Sequence, residues 1–201
     1  MPFILLCIVS IFSHTLHAQR DSCFDAKKLI IPSGLILTGT AATYNNWGQD
    51  LNSSIQRQLY TPGKHTKLDD YIALSPCAAV YILNALGNKG KHSFTDRSVI
   101  IGTSYIMAYP IVIGTKEATG ILRPDGSTYN SFPSGHTAIA FASAEFLRME
   151  YKDVSAWYGI AGYTVATTVA GLRMYNNRHW FSDVLTGAGV GILSTQLAYI
   201  V

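Results

Sequence analysis

Charge is what this sequence has least of. Asp, Glu, Lys and Arg make up 13% of its 201 residues, against roughly 25% in an ordinary soluble domain. The 15 basic and 12 acidic side chains leave a formal charge of only +3, which excludes nucleic-acid binding driven by bulk charge. Three cysteines are too few for a disulfide scaffold. Low-complexity tracts are missing, and 12 Tyr, 8 Phe and 3 Trp exclude a disordered chain. What remains is apolar: hydrophobic residues reach 48% and mean hydropathy is +0.19. The composition is that of a single domain leaning toward a membrane.

Lys and Arg are also absent ahead of the apolar run Phe3 to Phe12. That run is followed by the polar stretch Ser13 to Gln19, with Ala18 as the cleavage residue, so residues 1–18 read as a secretory signal peptide. Export would place Cys23 and Cys77 in an oxidising compartment, where they either pair or remain two buried thiols.

Beyond Arg20 the charges separate five long uncharged stretches, Leu29 to Gln49, Tyr71 to Asn88, Ser98 to Thr115, Ser155 to Leu172 and Val184 to Val201. Each of the last four has 18 residues, within the roughly 17–25 that cross a bilayer core as helix. Asp69 and Asp70 mark the start of the first of these and Gly87 its end, while Thr95 and Asp96 cap the next. Pro76 and Pro110 are expected to kink their helices. A further helix runs from Ser134 to about Met149, where Ala138, Ala140, Ala142 and Ala144 allow close approach of a neighbour, and Gly187 and Gly191 give the last helix a similar face. Leu51, Ile55 and Leu59 predict a short amphipathic helix lying on a surface. The expected fold is therefore all-α, a membrane-embedded bundle of five or six helices with the active site at one end. Residues 19–70 would form an N-terminal segment with an interfacial or first membrane helix, and 71–201 the core. The helix count turns on Leu29 to Thr43. Pro32 and Gly34 either mark an interfacial element, leaving five spans, or the segment spans and residues 1–18 stay uncleaved, giving six.

Three clusters carry chemistry. Lys116 is followed by Arg123-Pro124; Pro133-Ser134-Gly135-His136 opens a helix, whose first N–H groups favour an anion; and Arg173 is followed by His179 and Asp183. Lys116 and Arg173 end helices, whereas Ser134 and His179 start them, so all three clusters emerge on one side. His179 and Asp183, four apart, are expected on one helix face. Three cations, two imidazoles, a carboxylate and a row of N–H donors match a phosphoryl group, which charge-assisted hydrogen bonds hold at roughly 1.5–3 kcal/mol each. Taken singly, each is an ordinary helix-end or cap residue; their convergence is what a scaffold or transporter role leaves unexplained.

These residues resemble the signature of the type-2 phosphatidic-acid phosphatase superfamily, which includes membrane lipid phosphatases, soluble class A acid phosphatases and vanadium haloperoxidases. Lys116, Arg123, Pro124, Pro133, Ser134, Gly135, His136, Arg173, His179 and Asp183 all match. Leu172 departs, standing where the family usually has Ser. The resemblance implies that His179 attacks phosphorus and forms a phosphohistidine, that Asp183 holds its other ring nitrogen, and that His136 protonates the departing alcohol. Lys116, Arg123 and Arg173, with Ser134 and the Gly135 N–H, would hold the nonbridging oxygens. No metal or other cofactor is expected. The substrate would be a phosphorylated lipid or small phosphomonoester, with membrane lipid around the protein and no nucleic acid; oligomeric state is unassigned. Lys89, Lys91, Arg97, Arg148 and Lys152 mark the opposite loops as cytoplasmic, which turns the site toward the periplasm of a bacterial envelope. A soluble periplasmic acid phosphatase is the alternative, and a haloperoxidase a more distant one because those chains are generally far longer. His65 and His92 read as surface residues, and Arg178, next to His179 but outside the motif, either rims the entrance, meets lipid headgroups, or is a plain surface residue.

Overall fold

A computed structural model of the protein describes residues 26–200; the expected signal peptide and Cys23 lie outside them. Eight α-helices make up the described chain, after a 3-10 turn at Ala26–Leu29: α1 (Ile30–Tyr44), α2 (Asn46–Leu59), α3 (Leu68–Ile72), α4 (Ser75–Ala85), α5 (Phe94–Thr119), α6 (Gly135–Tyr151), α7 (Ala156–Tyr175) and α8 (Phe181–Ala198). Among the described residues there is no strand. The architecture is an all-helical bundle, as expected from the sequence.

The centre of the bundle is α8, which packs along α1, α5 and α6. It does so because it carries almost no side chain where its neighbours cross. A Cβ on Gly191 would lie 2.2 Å from the Ala138 carbonyl oxygen, one on Gly187 would lie 2.5 Å from that of Ser134, and one on Gly189 would lie 2.6 Å from that of Pro32. Glycine on one helix against alanine on the other lets backbones touch, and dispersion over the whole length then holds them. Ala138, Ala140, Ala142 and Ala144 are all buried, as their spacing implied.

Two stretches depart from expectation. Tyr71 to Asn88 is not one long helix: α3 ends at Ile72, and Pro76 sits in the first turn of α4. Proline is tolerated there because its missing N–H has no intrahelical acceptor to lose, so it starts a short helix instead of bending a long one. With 11 residues, α4 is about 16 Å long, well short of a bilayer core of about 30 Å. The long helices are thus α1 and α5 to α8. The other departure is the cap of α5, which is Ser93, its Oγ accepting from the Asp96 N–H at 3.2 Å. Helix α5 runs 26 residues through Pro110 and, among the described residues, is the helix whose length and composition alone suffice to cross a membrane.

The amphipathic segment forms α2, but the face it buries is Gly48 and Asn52, while Leu51, Leu59 and Trp47 stay exposed. At the far end of the bundle, two of the five basic residues that mark the loops are tied to buried carboxylates. Arg97 is 2% exposed and donates to the Ser93 and His92 carbonyls beside Glu150, and Arg148 pairs with Glu145 at 2.6 Å. His92 is likewise no free surface residue, since its Nδ1 lies 2.6 Å from Glu150. Lys89, Lys91 and Lys152 remain exposed.

Gly191→Ala is expected to lower the thermal unfolding temperature in detergent, overpacking a backbone contact at roughly 1–3 kcal/mol. Gly171→Ala, where a Cβ meets nothing within 4 Å, should leave it unchanged or raise it. Equal behaviour of the two would mean that α6 and α8 do not touch as described.

Candidate active site

The helix polarities gather the three clusters at one end. Lys116 is in the last turn of α5, Ser134 is the N-cap of α6, Arg173 is in the last turn of α7, and His179 precedes α8. Their charges act on one another: Lys116 is within range of Arg123, Arg173 and Asp183, and His179 of Lys116 and Arg173.

His179 differs in one respect from its expected placement, because α8 begins only at Phe181. The imidazole therefore stands on the loop before the helix, and Asp183 reaches back to it from the first turn. Oδ2 of Asp183 accepts from the Ser131 hydroxyl and the Trp180 N–H and lies 3.4 Å from His179 Nδ1. The carboxylate is fully buried and His179 is 3% exposed. Burial pushes the imidazole down to about 4, helped by Lys116 and Arg173 and opposed by Asp183. Such a ring is neutral at neutral pH and keeps a free lone pair. Because the shift is downward, its contribution to stability is complete above about 6.5 and lost as the pH falls toward 4.

The cations are held differently. Lys116 Nζ donates to the Asn130 and Ser131 carbonyls. Arg173 donates from Nη1 to Asp69 at 2.6 Å and lies 3.7 Å from Asp70. Arg123 is pushed below its ordinary value by burial and then by Arg173 and Arg178. The Nε atoms of both Arg123 and Arg173 are buried without a protein partner. Buried donors without acceptors beside repelling charges are the environment an anion would relieve.

Ser134, expected to offer its hydroxyl, accepts through that oxygen from the Thr137 N–H at 3.4 Å and from the Thr137 hydroxyl at 2.9 Å, which leaves its O–H proton as a donor. It caps the helix, and its own N–H is tied to the Asp183 carbonyl. A Cβ on Gly135 would meet only Val112, at an ordinary 3.5 Å, so packing within the protein leaves that approach open. Leu172, in place of the usual Ser, is half-buried. Arg178 pairs with Asp125 at 3.0 Å.

Sequence reasoning missed Asp69 and Asp70, which it took for helix-start residues. Asp69 is 1% exposed and holds Arg173 and the Asn176 amide, while Asp70 lies 3.0 Å from His136 Nε2. Their partners are more than a hundred and some sixty positions away in the chain, beyond any local pattern. Two acidic residues ahead of an uncharged stretch were the one available signal, and helix capping explained it equally well. Asn52, Gln56, Asn176 and Asn177 were missed too. Asn52 exchanges two bonds with Ser182, Gln56 donates to Asn177, and Asn176 bonds Thr66 twice. The loop carrying His179 is thereby stitched to α2 and to the segment before α3.

A profile of the PAP2 superfamily matches residues 97–201, just over half of the chain, and the chain belongs to that superfamily. A lipid A 1-phosphatase of Porphyromonas gingivalis is 44% identical over 137 residues, 67% of this chain and 31% of the relative; the chain thus spans about a third of that protein's length. Among solved structures, Aquifex aeolicus LpxE is similar with a TM-score of 0.55 at 20% identity, over 75% of this chain and 93% of that one. A transmembrane PAP2-type phosphatidylglycerolphosphate phosphatase from Bacillus subtilis gives a TM-score of 0.48 at 21% identity, over 84% and 94%. The LpxE likeness shows a shared fold.

Asp69→Ala strands a buried guanidinium and should destabilise by roughly 3–5 kcal/mol, read as a drop in unfolding temperature. Asp70→Ala, half exposed at 51%, should change it little. A silent Asp69→Ala would refute its anchoring role.

Proposed function

We propose that this chain is a phosphatase that removes phosphate from a membrane lipid through a covalent intermediate on His179. The neutral imidazole attacks phosphorus with its free lone pair, and the bond from phosphorus to the lipid oxygen breaks. His136, which burial and Arg173 hold below its ordinary value against the opposing pull of the Asp70 carboxylate, hands its proton to that oxygen and releases the alcohol. It then takes a proton from water as the water oxygen attacks phosphorus; the P–N bond breaks, returning the lone pair to His179. Lys116, Arg123, Arg173 and the first N–H groups of α6 carry the negative charge throughout. In this role the N–H groups are joined by the Ser134 hydroxyl, whose oxygen accepts at the cap while its proton is still a donor.

The observation that carries the lipid reading is a cavity of about 320 Å³ lined by Leu74, Tyr105, Ala108, Val112, Ala138 and Ile139, with Gly135 in its wall. An almost wholly apolar groove thus meets the anion site at the helix start between Ser134 and His136. A water-soluble phosphomonoester has no use for it, whereas an acyl chain does. Exposed apolar side chains support membrane embedding: Phe94, Ile106 and Tyr109 on α5 and Trp157 and Ile160 on α7 are each more than half exposed, which water disfavours over so wide a surface. With Lys89, Lys91 and Lys152 at the far end, the active site would face the periplasm. The name of the 44%-identical relative points to a phosphorylated envelope lipid such as lipid A.

Detergent-purified protein is expected to release phosphate from one or more of phosphatidate, phosphatidylglycerol phosphate and lipid A 1-phosphate. Release should survive exhaustive EDTA dialysis, stop with orthovanadate, and fall at least ~10³-fold in His179→Ala. Activity lost to EDTA and restored by a divalent ion would overturn the mechanism. Carbonate-washed membranes should retain the protein; recovery of folded protein in the wash would favour the soluble acid-phosphatase alternative.

A further inference from the structure

The two neighbouring carboxylates of α3 have different targets. Asp69 is buried and takes Arg173 and the Asn176 amide, while Thr66, just ahead of the helix, exchanges two bonds with Asn176. These contacts fasten α3 to the end of α7 and so fix where the next side chain lies. Asp70 meets α6 instead: its Oδ1 is 3.0 Å from His136 Nε2 and 3.7 Å from Arg173 Nη1. Capping does not account for that carboxylate, since the N-cap of α3 has no side-chain bond. Asp70 also stands outside residues 97–201, the extent of the superfamily match, so it is additional to the shared set of phosphate-handling residues.

A half-exposed carboxylate beside an anion site works against binding, because it repels the phosphate that Arg173 attracts. What it gains is the imidazole. Burial disfavours the charged form of His136 most and Arg173 of α7 next, while Asp70 and Asp69 of α3 oppose them. A carboxylate at Nε2 holds the ring through the Nε2–H and leaves Nδ1 as the nitrogen that exchanges a proton. We propose that Asp70 is the positioning residue of His136, fixing the ring with Nδ1 toward the leaving oxygen and stabilising the imidazolium until its proton is delivered. The proposal rests on the phosphatase reading above. In the first half-reaction the Nδ1 proton passes to the lipid oxygen as its bond to phosphorus breaks, and the Nε2 proton stays between ring and carboxylate. In the second, Nδ1 takes a proton from the attacking water and the imidazolium is restored. Asp70 keeps its charge throughout and touches no reacting atom.

Asp70→Asn preserves the size of the side chain and removes the charge. Its unfolding temperature should match that of the wild type, because the carboxylate is half exposed. With a lipid phosphate, kcat should fall at least ~10-fold, part of the ~10²–10⁴ that a general acid supplies, while KM stays level or falls as the repulsion is lost. The alkaline limb of the rate profile, set by loss of the His136 proton, should move down by about one pH unit; titration of the substrate is common to both proteins and cancels. Lys116, at about 8, loses its proton later. Asp70→Glu should restore both rate and limb. An unchanged kcat, a limb that stays in place, or a loss confined to KM overturns the proposal. The pairing is read without turnover by ¹⁵N NMR of histidine-labelled protein in detergent, with the His136 signal assigned by its loss in His136→Gln. The neutral ring should carry its proton on Nε2, and its titration should fall by the same amount in Asp70→Asn. A ring that ignores the substitution overturns the proposal whatever the rates do. A responsive ring in a wild-type protein that releases no phosphate keeps the pairing and overturns the phosphatase reading.

Discussion

Repulsion among Lys116, Arg123 and Arg173 is the constraint on which the rest of the structure depends. Placing three cations together at the end of a helical bundle is unfavourable, and it falls to the fold to hold them there. Arg173 is anchored by the buried carboxylate of Asp69, Lys116 by two backbone carbonyls, and Arg123 keeps a buried Nε without a partner. Helix direction contributes as well, since α6 and α8 turn the positive ends of their dipoles toward this spot, which favours the same anion. Every helix end that meets there has the polarity or the side chain that negative charge requires.

That geometry needs close backbone packing behind it and a clamp in front. Behind, α8 crosses α6 and α1 at glycines that admit no side chain, which sets the depth of Asp183 relative to Ser134. In front, the side-chain amides of Asn52 and Gln56 on α2 and the backbone of Thr66 hold the loop of residues 176 to 182. Asn177 adopts φ 59° there, a left-handed turn that Asn accepts more readily than most residues. The N-terminal third of the described chain is therefore part of the nucleophile's support.

Much of this was legible before any coordinates. Lys116, Arg123, Arg173, His136 and His179 share an end of the bundle because helix lengths and caps can be counted along the sequence, and Gly187 and Gly191 announced a close crossing by their spacing. What failed to show had a physical reason in each case. Asp69 and Asp70 act on residues distant in sequence, and local capping explained them as well. Pro76 reads as a kink only if the helix is assumed to have begun earlier. His179 looked helical by its spacing to Asp183, but the helix starts two residues later, where Trp180 and Asp183 form the cap. Arg97 and Arg148 counted as loop charges because their partners, Glu150 on another helix and Glu145 three residues away, are buried carboxylates that no loop pattern announces.

The covalent role of His179 is tested most directly by rapid acid-free quenching of the protein during turnover of a lipid labelled in its phosphate. Base-stable, acid-labile label should appear on the chain and map to His179 by mass spectrometry, with none in His179→Ala. Label on another residue, or full turnover in the variant, would contradict a site built around that imidazole.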